Sequence, residues 1–242
     1  MNPLCYLRPK ISHLLQRVIM PFAPARARLP FRFTLARIAG DGEGEIFRLR
    51  ELIREGKMAI DVGANAGLYT YALSRLGLKV VAFEPNREIA KDLIAHRSKS
   101  VEVRHEAVSS QNGTAKLYLP IKNRTAMDGW ASLIPGNLAD SDEVVEIDVP
   151  VTTIDALEYK DVAFIKIDVE GLEYKVLEGA TKTVSKWRPN ILIEIRSINQ
   201  DAIADWAKKL GYRLVKPGHE TTAGKILSPG NYLLVSERTD LT

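Results

Sequence analysis

The stretch that most limits what this chain can become is residues 58–72, MAIDVGANAGLYTYA. Met58, Ala59, Ile60 and Val62 make a short apolar run, Gly63 and Gly67 bracket a turn, and residues 68–73 resume with helical spacing. That order spells strand, tight loop and helix. Glycine lets the turn take positive φ and lets a ligand come close, while the start of the following helix offers unpaired N–H groups. Such a loop suits a nucleotide-type ligand. Asp61, at the carboxyl end of the strand, narrows the choice, because a carboxylate repels a pyrophosphate and attracts a cationic amino-acid group. A second apolar run, residues 78–83, ends in Glu84, Pro85 and Asn86. A carboxylate at the end of a second strand, about twenty residues past a glycine turn, is where open α/β folds hold the two hydroxyls of a ribose.

The remainder alternates in the same manner. Helices are expected over 46–53, 67–76 and 87–96, a strand over 79–83, and an alternating strand, VEVRHEAV, over 101–108. Two more alternating strands, 115–119 and 144–151, flank a long polar loop that contains Trp130 and Ser132, and such an insertion beside a ligand site is usually functional. The apolar run VAFIKI at 162–167 delivers Asp168, Glu170 and Gly171 to the edge that already carries Asp61 and Glu84. Helices over 172–185 and 202–210, a strand over 190–195 carrying Glu194, and an antiparallel pair over 211–215 and 232–236 complete the pattern.

Three segments in this order, IDVGANAGLYT, FEPN and FIKIDVEGLEYKVLEGA, resemble the FkbM family of S-adenosylmethionine-dependent methyltransferases. The resemblance covers about residues 56–195. The commoner class I turn is G-x-G-x-G, and Asn65 in its middle position matches the FkbM pattern. The resemblance implies an α/β class I methyltransferase Rossmann-like sandwich, with a mostly parallel seven-stranded sheet, an antiparallel last strand and an N-terminal helical arm.

It also implies S-adenosyl-L-methionine as cofactor. Asp61, Gly63, Ala64, Asn65 and Gly67 are then expected around its amino-acid end, and Glu84, Pro85 and Asn86 at the ribose. Glu106 and Ala107 fall at the adenine, where a small residue lets a ring lie flat. Ser132 and Asp168 stand near the cofactor, and Trp130 and Ser132 toward the acceptor. Trp130 offers a flat face to a sugar or polyketide ring, or packs beneath its own loop.

The implied acceptor is a hydroxyl of a sugar, glycan or related natural product, and a hydroxyl needs help losing its proton. Asp168 is the first candidate base, with Glu170 and Glu194 behind it. Alternatively Asp168 and Glu194 hold Mg²⁺ or a similar hard cation. Glu170, just ahead of a helix, also suits a capping role. Two rival functions stand beside this one. A nicotinamide-dependent oxidoreductase needs the third glycine of G-x-G-x-x-G and no Asp61. A non-catalytic scaffold in a glycan-assembly complex has no need of an intact Asp61, Gly63, Gly67 and Glu84.

The 242 residues, 45% hydrophobic, suffice for one methyltransferase domain at 45–242 and an arm at 1–44. A single cysteine, Cys5, excludes an internal disulfide framework and a cysteine-rich zinc site and fits a reducing cytoplasm. The net charge of +4 is unevenly spread: Arg8, Lys10, Arg17, Arg26, Arg28, Arg32 and Arg37 fall in residues 1–40, which hold no acidic residue. In this arm Ile11, Leu14, Leu15, Val18 and Ile19 recur at helical spacing. Pro21, Pro24 and Pro30 are expected to break the helix, and GDGEG at 40–44 to form a flexible joint. The apolar stretch is too short for a bilayer span and lacks a cleavage-like site. The amphipathic helix therefore packs on its own domain, pairs with a second copy in a homo-oligomer, or lies on the anionic inner face of a membrane. A nucleic-acid partner is not expected, since the basic residues gather in the arm and no aromatic base-binding motif accompanies them.

Overall fold

The computed structural model describes residues 20–39, 44–96, 98–122, 125–126, 132–134, 143–216 and 228–237. Trp130, the 11–19 stripe, residues 40–43 of the joint and most of the loop before the last strand lie outside them. The described chain forms a seven-stranded sheet and a separate four-stranded sheet.

The large sheet contains β1 (Met58–Val62), β2 (Lys79–Phe83), β3 (Val101–Arg104), β8 (Val162–Ile167), β9 (Asn190–Ile195), β10 (Tyr212–Val215) and β11 (Gly230–Ser236). Their spatial order is β10-β11-β9-β8-β1-β2-β3. Every pairing is parallel except the two made by β11, which runs antiparallel to both β9 and β10. This is the sheet expected from the resemblance. Burial explains the central strands: all six residues of β8 are buried, as a parallel strand covered on both faces requires. The order reverses between β1 and β8, and open α/β sheets bind ligands in the crevice at such a point.

Helices α1 (Ala25–Ala39), α2 (Leu49–Leu52), α3 (Leu68–Arg75), α4 (Lys91–His96), α5 (Glu173–Glu178), α6 (Thr181–Trp187) and α7 (Gln200–Lys209) complete the described regular structure, with short 3-10 turns between. Ile60, Ile165, Ile167, Leu177, Val184 and Tyr232 anchor the main core. No helix among the described residues is long and apolar enough to cross a membrane.

Several expectations are corrected. The helix over 25–39 runs straight through Pro30. Pro24 precedes its first residue, where a missing N–H costs nothing. Proline at 30 leaves the carbonyl of Arg26 without its intrahelical donor, and His96 Nδ1 stands 3.4 Å from that oxygen. Helix α1 packs on α3 and α4 through Leu29, which is fully buried, and Phe33, whose ring meets Tyr71 edge-on at 5.2 Å. Arg28 and Arg32 reach Asp92 at 3.6 and 3.2 Å.

The expected strand over 101–108 is two strands. β3 stops at Arg104, and β4 (Ala107–Val108) joins the small sheet beside β7 (Glu143–Thr152). Alternation ends where Ala107 and Val108 are buried in succession. The expected helix over 172–185 breaks at Gly179, where a Cβ would collide with the carbonyl of Ser109. Asp155 then serves the start of α6, accepting from the amides of Lys182 and Thr183 at 2.9 and 2.8 Å. The insertion forms a long hairpin of β5 (Gly113–Lys122) and β7, with β6 (Thr125–Ala126) on its outer edge.

Candidate functional site

The turn after β1 is hung on backbone and braced by two side chains. The amides of Gly63 and Ala64 both donate to the carbonyl of Phe83 at 3.0 Å, hanging the turn on the end of β2. Gly63 takes φ +78, and a Cβ there would fall on the carbonyl oxygen of Asp168 at the end of β8. Only glycine lets β1 and β8 close at this level. Asn65 also lies in the left-handed region, at φ +51, and its side-chain oxygen accepts from the Ala66 amide at 2.6 Å. Gly67, at φ +89, opens α3 with its face pressed on Leu93.

Glu84 joins this turn to the next loop. One carboxylate oxygen accepts from the Asn65 amide at 3.0 Å and the other from the Asn86 amide at 2.9 Å, with the residue 6% exposed. The carboxylate is thus braced in the lining of an open cleft. Gly63, Asn65, Glu84, Pro85, Glu106 and Ala107, all expected at a cofactor, line this cleft, along with Asp168 and Glu170. Phe83, Ile89 and Val108 add apolar surface, and Leu117 and Leu133 of the inserted sheet roof it. Glu106 is also paired with Arg104 at 2.5 Å.

A second cleft, of about 330 Å³, adjoins the turn. Asp61, Ala64, Tyr69, Lys166 and Asp168 form its inner part, and Phe33, Ala36 and Phe47 its outer wall. Gly63, Asn65 and Asp168 border both clefts, so the two adjoin at Asp168. Glu84 and Ala107 line the first cleft and Asp61 the second.

Asp61 is 1% exposed and accepts the Thr70 hydroxyl at 2.5 Å. Burial pushes its carboxyl up from 3.8 to about 6, against the pull of Thr70 and of Lys166. Lys166 is its register partner on β8, and the Lys166 ammonium lies 3.3 Å from Asp168 Oδ2. The charge of Lys166 lowers the Asp61 carboxyl and that of Asp168 raises it, each by less than burial does.

Strand β8 ends at Ile167, so Asp168 and Glu170 belong to a turn and not to a continued strand. Glu170 at φ +55 and Gly171 at φ +109 make its bend. Long-range side chains hold it. Glu173, fully buried, accepts from the Gly171 amide at 2.6 Å, and Asn199 donates to both the Gly171 carbonyl and the Glu173 carboxylate. Burial raises the Glu173 carboxyl above its ordinary value. Leu172, at the N-cap position of α5, offers no side-chain cap, and Glu170 forms an ion pair with Arg196. Glu173 is the carboxylate that accepts from the turn's backbone. One carboxylate oxygen from each of Asp168, Glu170 and Glu194 lies within 4.8 Å of the others.

Ser132 pairs with Tyr118 through both backbone groups, donates its hydroxyl to the Glu170 carbonyl at 3.2 Å and accepts from the Ile134 amide at 3.1 Å. The hydroxyl clasps the inserted sheet to the β8 turn, and Leu133 beside it lines the cleft. Sequence reasoning passed over Lys166, Thr70, Glu173 and Phe33. Only Lys166 carried a clear signal, as the single charged residue in an apolar buried-strand run.

The model of the FkbM methyltransferase domain matches residues 61–214. Among solved structures, the chain is similar to the FkbM methyltransferase of Methylobacillus flagellatus KT, with 17% identity over 91% of this chain and 60% of that one and a TM-score of 0.48. It is also similar to a tRNA (uracil-54, C5)-methyltransferase of Pyrococcus abyssi in complex with S-adenosyl-L-homocysteine, with 14% identity over 79% and 37% of the two chains and a TM-score of 0.41. A precorrin-6y C5,15-methyltransferase of Geobacter metallireducens GS-15 gives 14%, 78%, 82% and 0.41 on the same measures. The chain thus spans 60% of the length of the M. flagellatus protein. No relative matches among curated proteins.

Proposed function

The chain belongs to the FkbM methyltransferase domain family, and on that premise we propose that it transfers a methyl group from S-adenosyl-L-methionine to a hydroxyl oxygen of a sugar, glycan or related natural product. The observation that carries this reading is the bracing of Glu84 by the amides of Asn65 and Asn86 in the lining of a cleft. A carboxylate so held is an acceptor pair for two vicinal hydroxyls.

Bound there, the cofactor supplies an electrophilic methyl group on a sulfonium. The protein then has to align the acceptor, exclude water and remove a proton. Glu84 receives the ribose hydroxyls, Glu106 and Ala107 border the adenine, and Asp61, steadied by Thr70, faces the ammonium. Asp168 borders both clefts and takes the acceptor's hydroxyl proton on its carboxylate, a step worth about a hundredfold or more. Glu170 and Glu194 stand next to it, and Trp130 and Ser132 belong to the acceptor side.

Calorimetric titration with S-adenosyl-L-homocysteine tests the cofactor. Binding that weakens strongly in Glu84→Gln supports the reading, and no binding by folded wild-type protein would give first place to a scaffold role. Once an acceptor is found, Asp168→Asn with near wild-type turnover would remove Asp168 as the base.

The proximity of Asp168, Glu170 and Glu194 supports a second reading in which Asp168 and Glu194 hold Mg²⁺. Against it, Lys166 and Arg196 already neutralise part of this charge. Turnover indifferent to EDTA would dismiss the metal. The basic arm supports peripheral contact with the anionic inner face of a membrane, with self-association as the competing use. Reversing Arg8, Lys10 and Arg17 to Glu tests this: unchanged sedimentation with anionic liposomes would discard the membrane contact.

A further inference from the structure

Lys166 is a lysine placed where lysines are rarely kept. Its side chain is 2% exposed, inside a strand whose other five residues are apolar. A buried ammonium is costly unless it is paired and hydrogen-bonded, and it carries three donors. Its hydrogen bond to Asp168 is 3.3 Å long, against about 2.8 Å for a strong charge-assisted bond. On another side it lies over the Tyr69 ring, 5.0 Å from the centroid, an attraction that uses no acceptor. Beside the nearby Asp61 charge, the ammonium thus has one long hydrogen bond for three donors, and it lines the second cleft.

Its surroundings define what would satisfy it. Tyr69 belongs to the first turn of α3, where backbone N–H groups lack intrahelical acceptors and the helix dipole favours negative charge. Across the strand pair, Asp61 is the register partner of Lys166, and neighbouring strands lie about 4.8 Å apart. One floor thus presents a carboxylate and an ammonium side by side, with a helix N-terminus adjoining the ammonium. The ligand group complementary to that floor is an α-amino acid zwitterion, its ammonium toward Asp61 and its carboxylate toward Lys166.

We propose that Lys166, together with the first turn of α3, holds the α-carboxylate of the cofactor's amino-acid end. This rests on the cofactor reading above and assigns a ligand contact to a residue that the sequence motifs leave without a role. The zwitterion completes the hydrogen bonding of a buried cation, so the same contact that orients the cofactor supplies acceptors for its remaining donors. Asp168 then needs only part of the Lys166 charge and stays available at the junction of the clefts.

The test is a ligand and protein cycle by calorimetry on the full chain. The ligands are S-adenosyl-L-homocysteine, its decarboxylated analogue S-adenosyl-3-thiopropylamine, and 5′-methylthioadenosine. Wild type is expected to prefer S-adenosyl-L-homocysteine over the decarboxylated analogue by about 10- to 100-fold, the range for a charge-assisted bond. Lys166→Met is expected to shrink that preference to within about threefold while leaving 5′-methylthioadenosine affinity unchanged, since that ligand never reaches the contact. A wild type that binds the first two ligands equally overturns the proposal, whatever the variants do. So does a Lys166→Met protein that weakens all three ligands alike, because Lys166 would then be holding the fold. If circular dichroism shows Lys166→Met to be unfolded, Lys166→Arg replaces it: it keeps the charge, moves the donors, and is expected to narrow the preference. Wild type that binds none of the three defeats the cofactor reading itself, a result distinct from both.

Discussion

The two strand ends that meet at the cleft are held in opposite ways. After β1, the turn is fixed by groups near it in sequence: the amides of Gly63 and Ala64 on the Phe83 carbonyl and the amide of Asn65 on Glu84. After β8, the turn is fixed by side chains that come from far along the chain. Asn199 reaches back to Gly171 and Glu173, Arg196 to Glu170, and Ser132 from the inserted sheet to the Glu170 carbonyl. Backbone bonds tolerate change in the side chains that surround them, whereas side-chain bonds change with every substitution. Glu84 apart, the half of the site proposed for the cofactor is therefore built from parts that resist variation, and the half proposed for the acceptor from parts open to it.

The sharpest break in the comparison comes from Gly63→Ala. A Cβ at φ +78 meets the Asp168 carbonyl, so β1 and β8 are forced apart. The expected cost is about 3 kcal/mol or more by urea titration, with loss of S-adenosyl-L-homocysteine binding.

The pH dependence of Asp61 comes next. Its carboxyl binds a proton more tightly folded than unfolded, so the fold loses stability as pH rises through the window from about 4 to about 6. The full loss is about 3 kcal/mol, complete above that window, and Asp61→Asn should flatten it in melts across pH. Affinity for a ligand ammonium runs the other way. It should rise through the same window in wild type and stay level in Asp61→Asn.

Glu84→Gln keeps the shape of the brace but removes its charge, and a 10- to 100-fold loss of S-adenosyl-L-homocysteine affinity is expected in calorimetry. The smallest effect probes the β8 turn. Asn199→Ala should cost about 1–2 kcal/mol in chemical denaturation while changing that affinity by less than about threefold. A larger effect on the ligand would mean that the two turns are not separable.

The same contrast decides what could be read from the sequence. Met58–Val62, the glycines and Glu84 were legible because strand, turn and carboxylate follow one another within some thirty residues and obey local rules. The mostly parallel seven-stranded sheet with its antiparallel last strand was legible through the resemblance, while the order of its strands was not. The break of the 101–108 strand was not, because it depends on Ala107 and Val108 finding β7 some forty residues later. Glu173 looked like an ordinary first-turn acid, and its bonds to the Gly171 amide and to Asn199 appear only once the turn is folded. Helix α1 was hidden by Pro30, since the Arg26 carbonyl that the proline leaves without a donor meets His96, which lies far ahead in the chain. Lys166 was visible as a charge in an apolar run and went unread, for want of a rule linking it to Asp61 on another strand.

The place of β11 between β9 and β10 has a consequence for how the molecule is made. A ribosome releases β10 before β11, and β10 then has no edge to join, because its only neighbour in the sheet is a strand not yet translated. Tyr232 and Leu234, fully buried on β11, are among the last described residues to emerge. The parallel strands can assemble during synthesis, but the sheet closes only when its latest strand slides between two earlier ones. A nascent chain stalled in the loop ahead of Gly230 would carry an open β9 edge, the kind of surface that chaperones cover and that neighbouring chains invade.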